Sequence, residues 1–125
     1  MNEHTHDDRL RMLNIQAQMI AEQIEKVDAG LLELEYIKNC LDEVKDTPQG
    51  KGVFSPISNG IFVKTTLQQS DTLLVSVGNG VVVEKSIPDT KEMLDSRITE
   101  MNAVREQLLS QMEKIEEQLI KIGEH

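Results

Sequence analysis

The chain has 125 residues, 28% of them charged, with no Trp and only Tyr36, Phe54 and Phe62 aromatic, so burial must come from aliphatic seams rather than from a bulky core. Its formal charge of −9 lies on the flanks, since residues 1–46 sum to −6, 47–88 to +1 and 89–125 to −4. Acidic flanks disfavour nucleic acid and anionic membranes and leave the near-neutral centre for protein contact.

Cys40 is the single cysteine, which excludes an internal disulfide; a small half-buried helix residue is expected there. No apolar run near the N-terminus is long enough for a signal peptide or a membrane span, so a reducing cytoplasm is the expected location.

A first helix is predicted over residues 8–46, a stretch without proline. Leu10, Leu13, Ala17, Ile20, Ile24, Val27, Leu31 and Leu34 recur at strict three- and four-residue steps, the heptad signature of a coiled-coil seam. Ile37, Leu41 and Val44 continue the row after one step that is a residue short, a stammer that locally overwinds the supercoil. Gly30 inside this helix costs roughly 1 kcal/mol relative to Ala and could mark a bend.

Between the helices, over residues 47–88, the period changes to two. Val53 to Ile57 and Ile61 to Leu67 flank Ser58-Asn59-Gly60, and Leu73 to Val77 and Val81 to Ile87 flank Gly78-Asn79-Gly80. Asn-Gly tolerates the positive φ angles of a type I′ turn, so two β-hairpins joined by Gln68 to Thr72 are expected. Pro56 has no N–H for a ladder, which places its strand at an edge or beside a bulge.

A second helix is predicted over residues 89–123, with Asp89 and Glu92 as its N-terminal cap and Gly123 as its stop. Its seam runs Leu94, Ile98, Met101, Arg105, Leu108, Met112, Ile115, Leu119 and Ile122. Helices of roughly 39 and 35 residues would span about 58 and 52 Å at about 1.5 Å per residue. Matched lengths favour antiparallel pairing, with Leu13 near Ile122, Val44 near Met93 and both termini at one tip. Arg105 then falls near Leu31 and Leu32. There it can either pair with Asp28, Glu33 or Glu35 or cover the seam with its stem and send its charge to water.

An isolated two-stranded hairpin is marginal in water, and its open edges invite other chains. Leu73, Leu74, Val75, Val77, Val81, Val82 and Val83 form nearly continuous apolar strands that suit burial on both faces. Both helices spend their apolar stripe on each other, so the hairpins are expected to be an oligomerisation module. Its contact residues would be Val53, Phe54, Ile61, Phe62 and Val63 in the first hairpin and Leu74, Val75, Val77, Val81, Val82 and Val83 in the second.

The order helix, two hairpins, helix, with the stretch Val77-Gly78-Asn79-Gly80-Val81-Val82-Val83-Glu84-Lys85, resembles the alpha class of prefoldin subunits. The segment Ser55-Pro56-Ile57-Ser58-Asn59-Gly60-Ile61-Phe62-Val63 is similar to that family's first hairpin, and the likeness covers essentially the whole chain. Two hairpins, where beta-class subunits have one, point to alpha. The resemblance implies an α+β fold, a long antiparallel two-helix coiled coil whose hairpins join a multi-subunit β-barrel. It also implies a hexamer with beta-class subunits that holds unfolded client proteins at the coiled-coil tips and delivers them to a group II chaperonin without ATP. Little sequence lies beyond either predicted helix, so contacts that some members make through extensions are not expected.

A holdase needs exposed, adaptable apolar surface. Met12, Ile15 and Met19 lie off the first seam, and Leu109 and Ile120 off the second; methionine suits surfaces that accept many shapes. Leu10, Leu13, Leu119, Ile120 and Ile122 sit where helix ends open most readily. The expected client-binding group is Leu10, Met12, Leu13, Ile15, Met19, Leu119, Ile120 and Ile122, although the same residues could simply widen the seam of an ordinary helix pair.

His4 and His6, near Asp7 and Asp8, lie in a polar terminal stretch that reads as solvated rather than as a metal site. No catalytic, cofactor-binding or metal-ligating motif is present, and an enzyme is not expected. The competing function is a structural one, a coiled-coil subunit whose hairpins scaffold or polymerise chains without gripping clients.

Overall fold

The computed structural model of the chain describes residues 3–68 and 71–123, with side chains from residue 5 onward. The linker residues Gln69 and Ser70 and the His4 side chain lie outside the described residues. The order is α1 (Glu3–Asp46), β1 (Gly52–Ser58), β2 (Ile61–Thr66), β3 (Thr72–Gly78), β4 (Val81–Ser86) and α2 (Ile87–Gly123). The fold is therefore α+β, two long helices with two small antiparallel hairpins between them.

Helix α1 starts five residues before the expected Asp8. Nothing from Glu3 to Asp7 breaks a helix, but the stretch carries no apolar period to announce one. At the other end Thr47 caps the last turn: its N–H donates to Val44 O at 3.2 Å and its Oγ1 to Glu43 O at 2.6 Å. Pro48, which cannot continue the helix, follows. A turn then closes with Lys51 N–H donating to Pro48 O at 3.3 Å, and Gly50 takes the positive φ of 89° that a type II turn requires at its third residue.

The two hairpins are copies of one another. In the first, Gly52 pairs with Thr66 and Pro56 with Phe62; in the second, Thr72 pairs with Ser86 and Ser76 with Val82, so every pairing recurs 20 residues later. Asn59 and Gly60 at φ 38° and 80°, and Asn79 and Gly80 at 53° and 75°, form the left-handed turns expected of Asn-Gly. Each hairpin also carries a register shift just before its turn, at Ile57 and at Val77. The second does so without a proline, so the bulge belongs to the shared turn architecture and not to Pro56. Each sheet has two strands, so all four strands are edges within the chain.

Helix α2 begins at Ile87, two residues before the expected start, and its cap is Ser86 rather than Asp89. Ser86 Oγ accepts from Asp89 N–H at 3.1 Å, while Thr90 Oγ1, itself buried, donates to Ser86 O at 2.8 Å. Pro88 is tolerated in this first turn because its missing N–H would have no helical partner there. Asp89 instead places its carboxylate at the positive end of the helix dipole.

The chain divides into two compact units. Among the described residues, one joins those up to Glu33 with those from Arg97 onward; the other is Leu34–Ser96 and holds both hairpins. In the first, Leu13, Ile115 and Ile122 are buried together, with Leu10, Ala17, Ile20 and Leu119 packed against them. In the second, Leu41, Ile87 and Leu94 form the core, flanked by Leu34, Ile37, Val44, Met93 and, from β3, Leu73. The helices are thus antiparallel in the expected register, and every predicted seam residue of either helix is buried or half-buried, including those across the stammer.

Gly30 does not interrupt α1. It makes room instead, because a Cβ at that position would lie 2.5 Å from Met101 Cε on the facing helix. The Met101 methyl fills the space a side chain would take there, and as the far end of a flexible side chain it can move aside for a larger residue.

Candidate functional site

In the unit that holds the hairpins, alternation sorts each strand into two faces. On hairpin 1, Val53, Ser55 and Thr65 are half-buried; Ser55 Oγ and Thr65 Oγ1 share a 2.7 Å hydrogen bond, and Thr65 Oγ1 reaches Val53 O at 3.3 Å. The opposite face presents Phe54, 70% exposed, with Phe62 at 58%. Hairpin 2 repeats the division: Leu73, Val75, Val83 and Lys85 are half-buried, and Leu74 is 73% exposed beside an exposed Val82. Ile57, Ile61, Val63, Val77 and Val81 are exposed as well.

Of the eleven residues assigned to oligomerisation, Val53, Val75 and Val83 are thus half-buried on the inner faces. The other eight are open to solvent. Fully burying one such side chain is worth about 1.5–3 kcal/mol, so this surface holds a large driving force that the chain by itself leaves unused.

In the other unit the client-binding candidates separate by seam position. Leu13 and Ile122 are buried, and Leu10 and Leu119 are half-buried against them. Met12, Ile15, Met19 and Ile120 are exposed, Met12 to 62%. Met12, Ile15 and Met19 follow one another at three- and four-residue steps and so form a stripe along one face of α1. Met19 also borders an open groove of about 390 Å³, floored by Ile20 and Ile115 and rimmed by Gln16, Gln23, Gln111 and Lys114. Leu109 is exposed as well.

Leu32, Tyr36 and Val104, exposed apolar residues of the helices, belong to none of the predicted groups. The signal that could have found them is the one used for Met12, an apolar residue off the seam. The Tyr36 hydroxyl has its pKa raised, chiefly by a hydrogen bond with the Cys40 thiol one helical turn away.

Charged pairs tie the helices together at the seam margins. Arg105, the polar member of the second seam, donates from Nε to Asp28 Oδ1 at 2.7 Å. In the hairpin-bearing unit Lys38 pairs with Asp95 and Lys91 with Asp42. The Asp95 hydrogen bond raises the pKa of Lys38, and the Lys91 hydrogen bond lowers that of Asp42.

Among the described residues no group of three or more His, Cys, Asp or Glu side chains is placed to hold a metal ion. No described helix is long and apolar enough to cross a membrane.

Residues 13–124 match the family model of the prefoldin subunit. The prefoldin subunit alpha of Thermococcus onnurineus is 35% identical over 91 residues, which cover 72% of this chain but 62% of the relative, less than two thirds of its length. The prefoldin subunit alpha of Pyrococcus horikoshii is 27% identical over 115 residues, 91% of this chain and 76% of the relative. Among solved structures, a chain of the filamentous PFD from Methanocaldococcus jannaschii superposes with a TM-score of 0.86 at 20% identity, covering 95% of this chain and 99% of that one. The prefoldin beta subunit of Thermococcus strain KS-1 gives a TM-score of 0.60 at 18% identity over 96% of this chain and 84% of its own. At those identities the two structures speak for the fold.

Proposed function

The chain belongs to the prefoldin family, in its alpha class, and from that membership we propose that it is a subunit of an ATP-independent, non-enzymatic chaperone. In this proposal the hairpins join those of beta-class subunits in a shared β-structure, and the assembled particle holds unfolded proteins in the cytoplasm for transfer to a group II chaperonin. The observation that carries it is the exposure of apolar side chains outside a seam that is already closed: Phe54, Phe62, Leu74 and Val82 on the hairpins, and Met12, Ile15, Met19 and Ile120 at the end of the helix pair that holds Leu13 and Ile122. Surface of this kind is poorly explained by the chain's own folding, which gains nothing from it.

In this proposal the two surfaces divide the labour. Hairpin edges and flat apolar faces suit permanent completion by other strands, which satisfies backbone groups and side chains together. A stripe of methionine and isoleucine on a helix suits reversible capture, because methionine adapts to differently shaped partners at little cost. Leu13 and Ile122 would contribute to capture only when that end of the pair frays.

The test is aggregation suppression by the complex with a beta-class subunit, comparing wild type with a variant carrying Ser at Met12, Ile15, Met19 and Ile120. Assembly should survive and suppression should fall, without dependence on ATP. Undiminished suppression would remove those residues from the client surface. Stalled transfer to a chaperonin would leave capture standing and remove delivery.

A second reading has its own support in the fold likeness to a chain of a filamentous assembly. There the hairpins would polymerise copies of this subunit, and the helix pairs would project from a filament. Electron microscopy of the purified chain, with and without a beta-class subunit, separates a closed particle from a fibre.

A further inference from the structure

The described methionines of this chain fall into two environments. Met12 and Met19 are 62% and 56% exposed on the outer stripe of α1, with Ile15 between them. Met93, Met101 and Met112 are half-buried: Met101 sets its methyl against Gly30, and Met93 packs on the cluster of Leu41, Ile87 and Leu94. A thioether is oxidised only where an oxidant reaches the sulfur, so the two groups differ in reactivity. We propose that Met12 and Met19 are a reversible oxidation site, at which peroxide converts both side chains to sulfoxides and closes the stripe to apolar partners. The inference rests on the reading of that stripe as client surface and adds its regulation.

Hydrogen peroxide alone balances the chemistry. A lone pair of the methionine Sδ attacks one peroxide oxygen, and the S–O bond forms as the O–O bond breaks. The proton left on the transferred oxygen passes to the departing hydroxide, which leaves as water. Sulfur is oxidised by two electrons and the peroxide is reduced by two. A flexible apolar side chain thereby becomes a polar one carrying a strong hydrogen-bond acceptor. Around Met19 that acceptor has donors at hand, since Gln16, Gln23, Gln111 and Lys114 rim the groove that Met19 borders. The sulfoxide accepts stronger hydrogen bonds from them than the thioether does. Ile15 is then isolated between two polar neighbours. The fold is spared, because the cluster of Leu13, Ile115 and Ile122 contains neither methionine. Sulfoxide reductases restore the thioether, and the exposure that admits the oxidant also admits the enzyme.

To test this, the full chain is treated with hydrogen peroxide, the peroxide is destroyed with catalase, and peptide mass spectrometry locates the added oxygen. The chain is then assembled with an untreated beta-class subunit. Oxygen should appear on Met12 and Met19 before Met93, Met101 or Met112, with helical content by circular dichroism unchanged. The concentration of particle that half-suppresses client aggregation should rise about tenfold or more, since each methionine lost from an apolar contact is worth about that factor. Methionine sulfoxide reductases A and B with a thiol reductant should return it to the untreated value. Met12→Gln with Met19→Gln should match the oxidised protein without peroxide, while Met12→Leu with Met19→Leu should keep its own untreated level after peroxide. Oxidation of the half-buried methionines first, or a loss that persists in the leucine variant, would overturn the assignment of the site. Sulfoxides at both positions with suppression unchanged would overturn the switch and leave the proposed chaperone function standing. An untreated particle that suppresses no aggregation would sink both.

Discussion

The helix seam and the hairpins draw on the same aliphatic residues and dispose of them oppositely. Along the seam, Leu13, Leu41, Leu94, Leu108, Ile115 and Ile122 are buried by the facing helix. On the hairpins, Leu74, Val77, Val81 and Val82 stay open, while Leu73 of β3 packs against a core cluster. The cause is geometric. A helix folded back on its partner closes a stripe with its own chain, whereas a two-stranded sheet has two faces and two edges and can close few of them. Stability of the subunit and capacity for association should therefore be separable by substitution.

The largest expected effect tests the closed side. Leu94, 3% exposed, becomes Ala at a cost of about 2–4 kcal/mol, since burial is lost and a cavity remains. Chemical denaturation of the dilute chain measures it, and a loss under about 1 kcal/mol would mean the seam is not the core. The open side should answer the reverse way. Leu74→Ser should shift the dilute chain's stability by no more than about 0.5 kcal/mol, as surface changes usually do. It should nevertheless weaken association by tenfold or more in sedimentation, provided Leu74 lies near the centre of the interface. Loss of both properties together would show that the two regions are not independent.

The difference between the regions also governs how much could be read without coordinates. A seam is a local pattern, so its positions, its stammer and the neighbourhood of Arg105 and Asp28 were all legible from spacing. Hairpin turns were legible too, because Asn59-Gly60 and Asn79-Gly80 have few other uses. Starts of helices were harder. Ser86 outcompeted Asp89 as a cap because one hydroxyl and the backbone carbonyl behind it anchor both Asp89 and Thr90, a choice made by three-dimensional fit. Likewise, spacing could mark Met12, Ile15 and Met19 as lying off the seam. It also set Leu13 and Ile122 on the seam; what it could not decide is that the first three stay exposed instead of widening the buried stripe.

Intermediate effects probe each region's geometry. Gly80, at φ 75°, becomes Ala at a cost of roughly 1–2 kcal/mol, because a Cβ in the left-handed region crowds the following carbonyl. Hydrogen exchange should show this loss in β3 and β4 and not in the Leu13, Ile115 and Ile122 cluster; uniform loss would contradict the separation. The Arg105–Asp28 pair is half open to solvent and should be worth roughly 0.2–1 kcal/mol in a double-mutant cycle. Its stronger signature is orientation, so Arg105→Met should keep or raise stability while relaxing helix register.

The smallest effect is electrostatic and belongs to the hairpin-bearing unit. Asp42 has a lowered pKa because Lys91 hydrogen-bonds its carboxylate. A depressed carboxylate contributes stability above its unfolded pKa, about 3.9, and loses that contribution as pH falls through the folded value. Lys38, raised by Asp95, contributes below its unfolded pKa of about 10.4 and loses it as pH climbs through the folded value. Acid also relieves the net charge of −9, which opposes the Asp42 loss, so the informative quantity is a difference between proteins. The melting temperature of Asp42→Asn should approach that of wild type only below about pH 4, and that of Lys38→Met only above about pH 10. Parallel curves for variant and wild type across both limits would show that these pairs are spectators, and that the seam alone holds the helices in place.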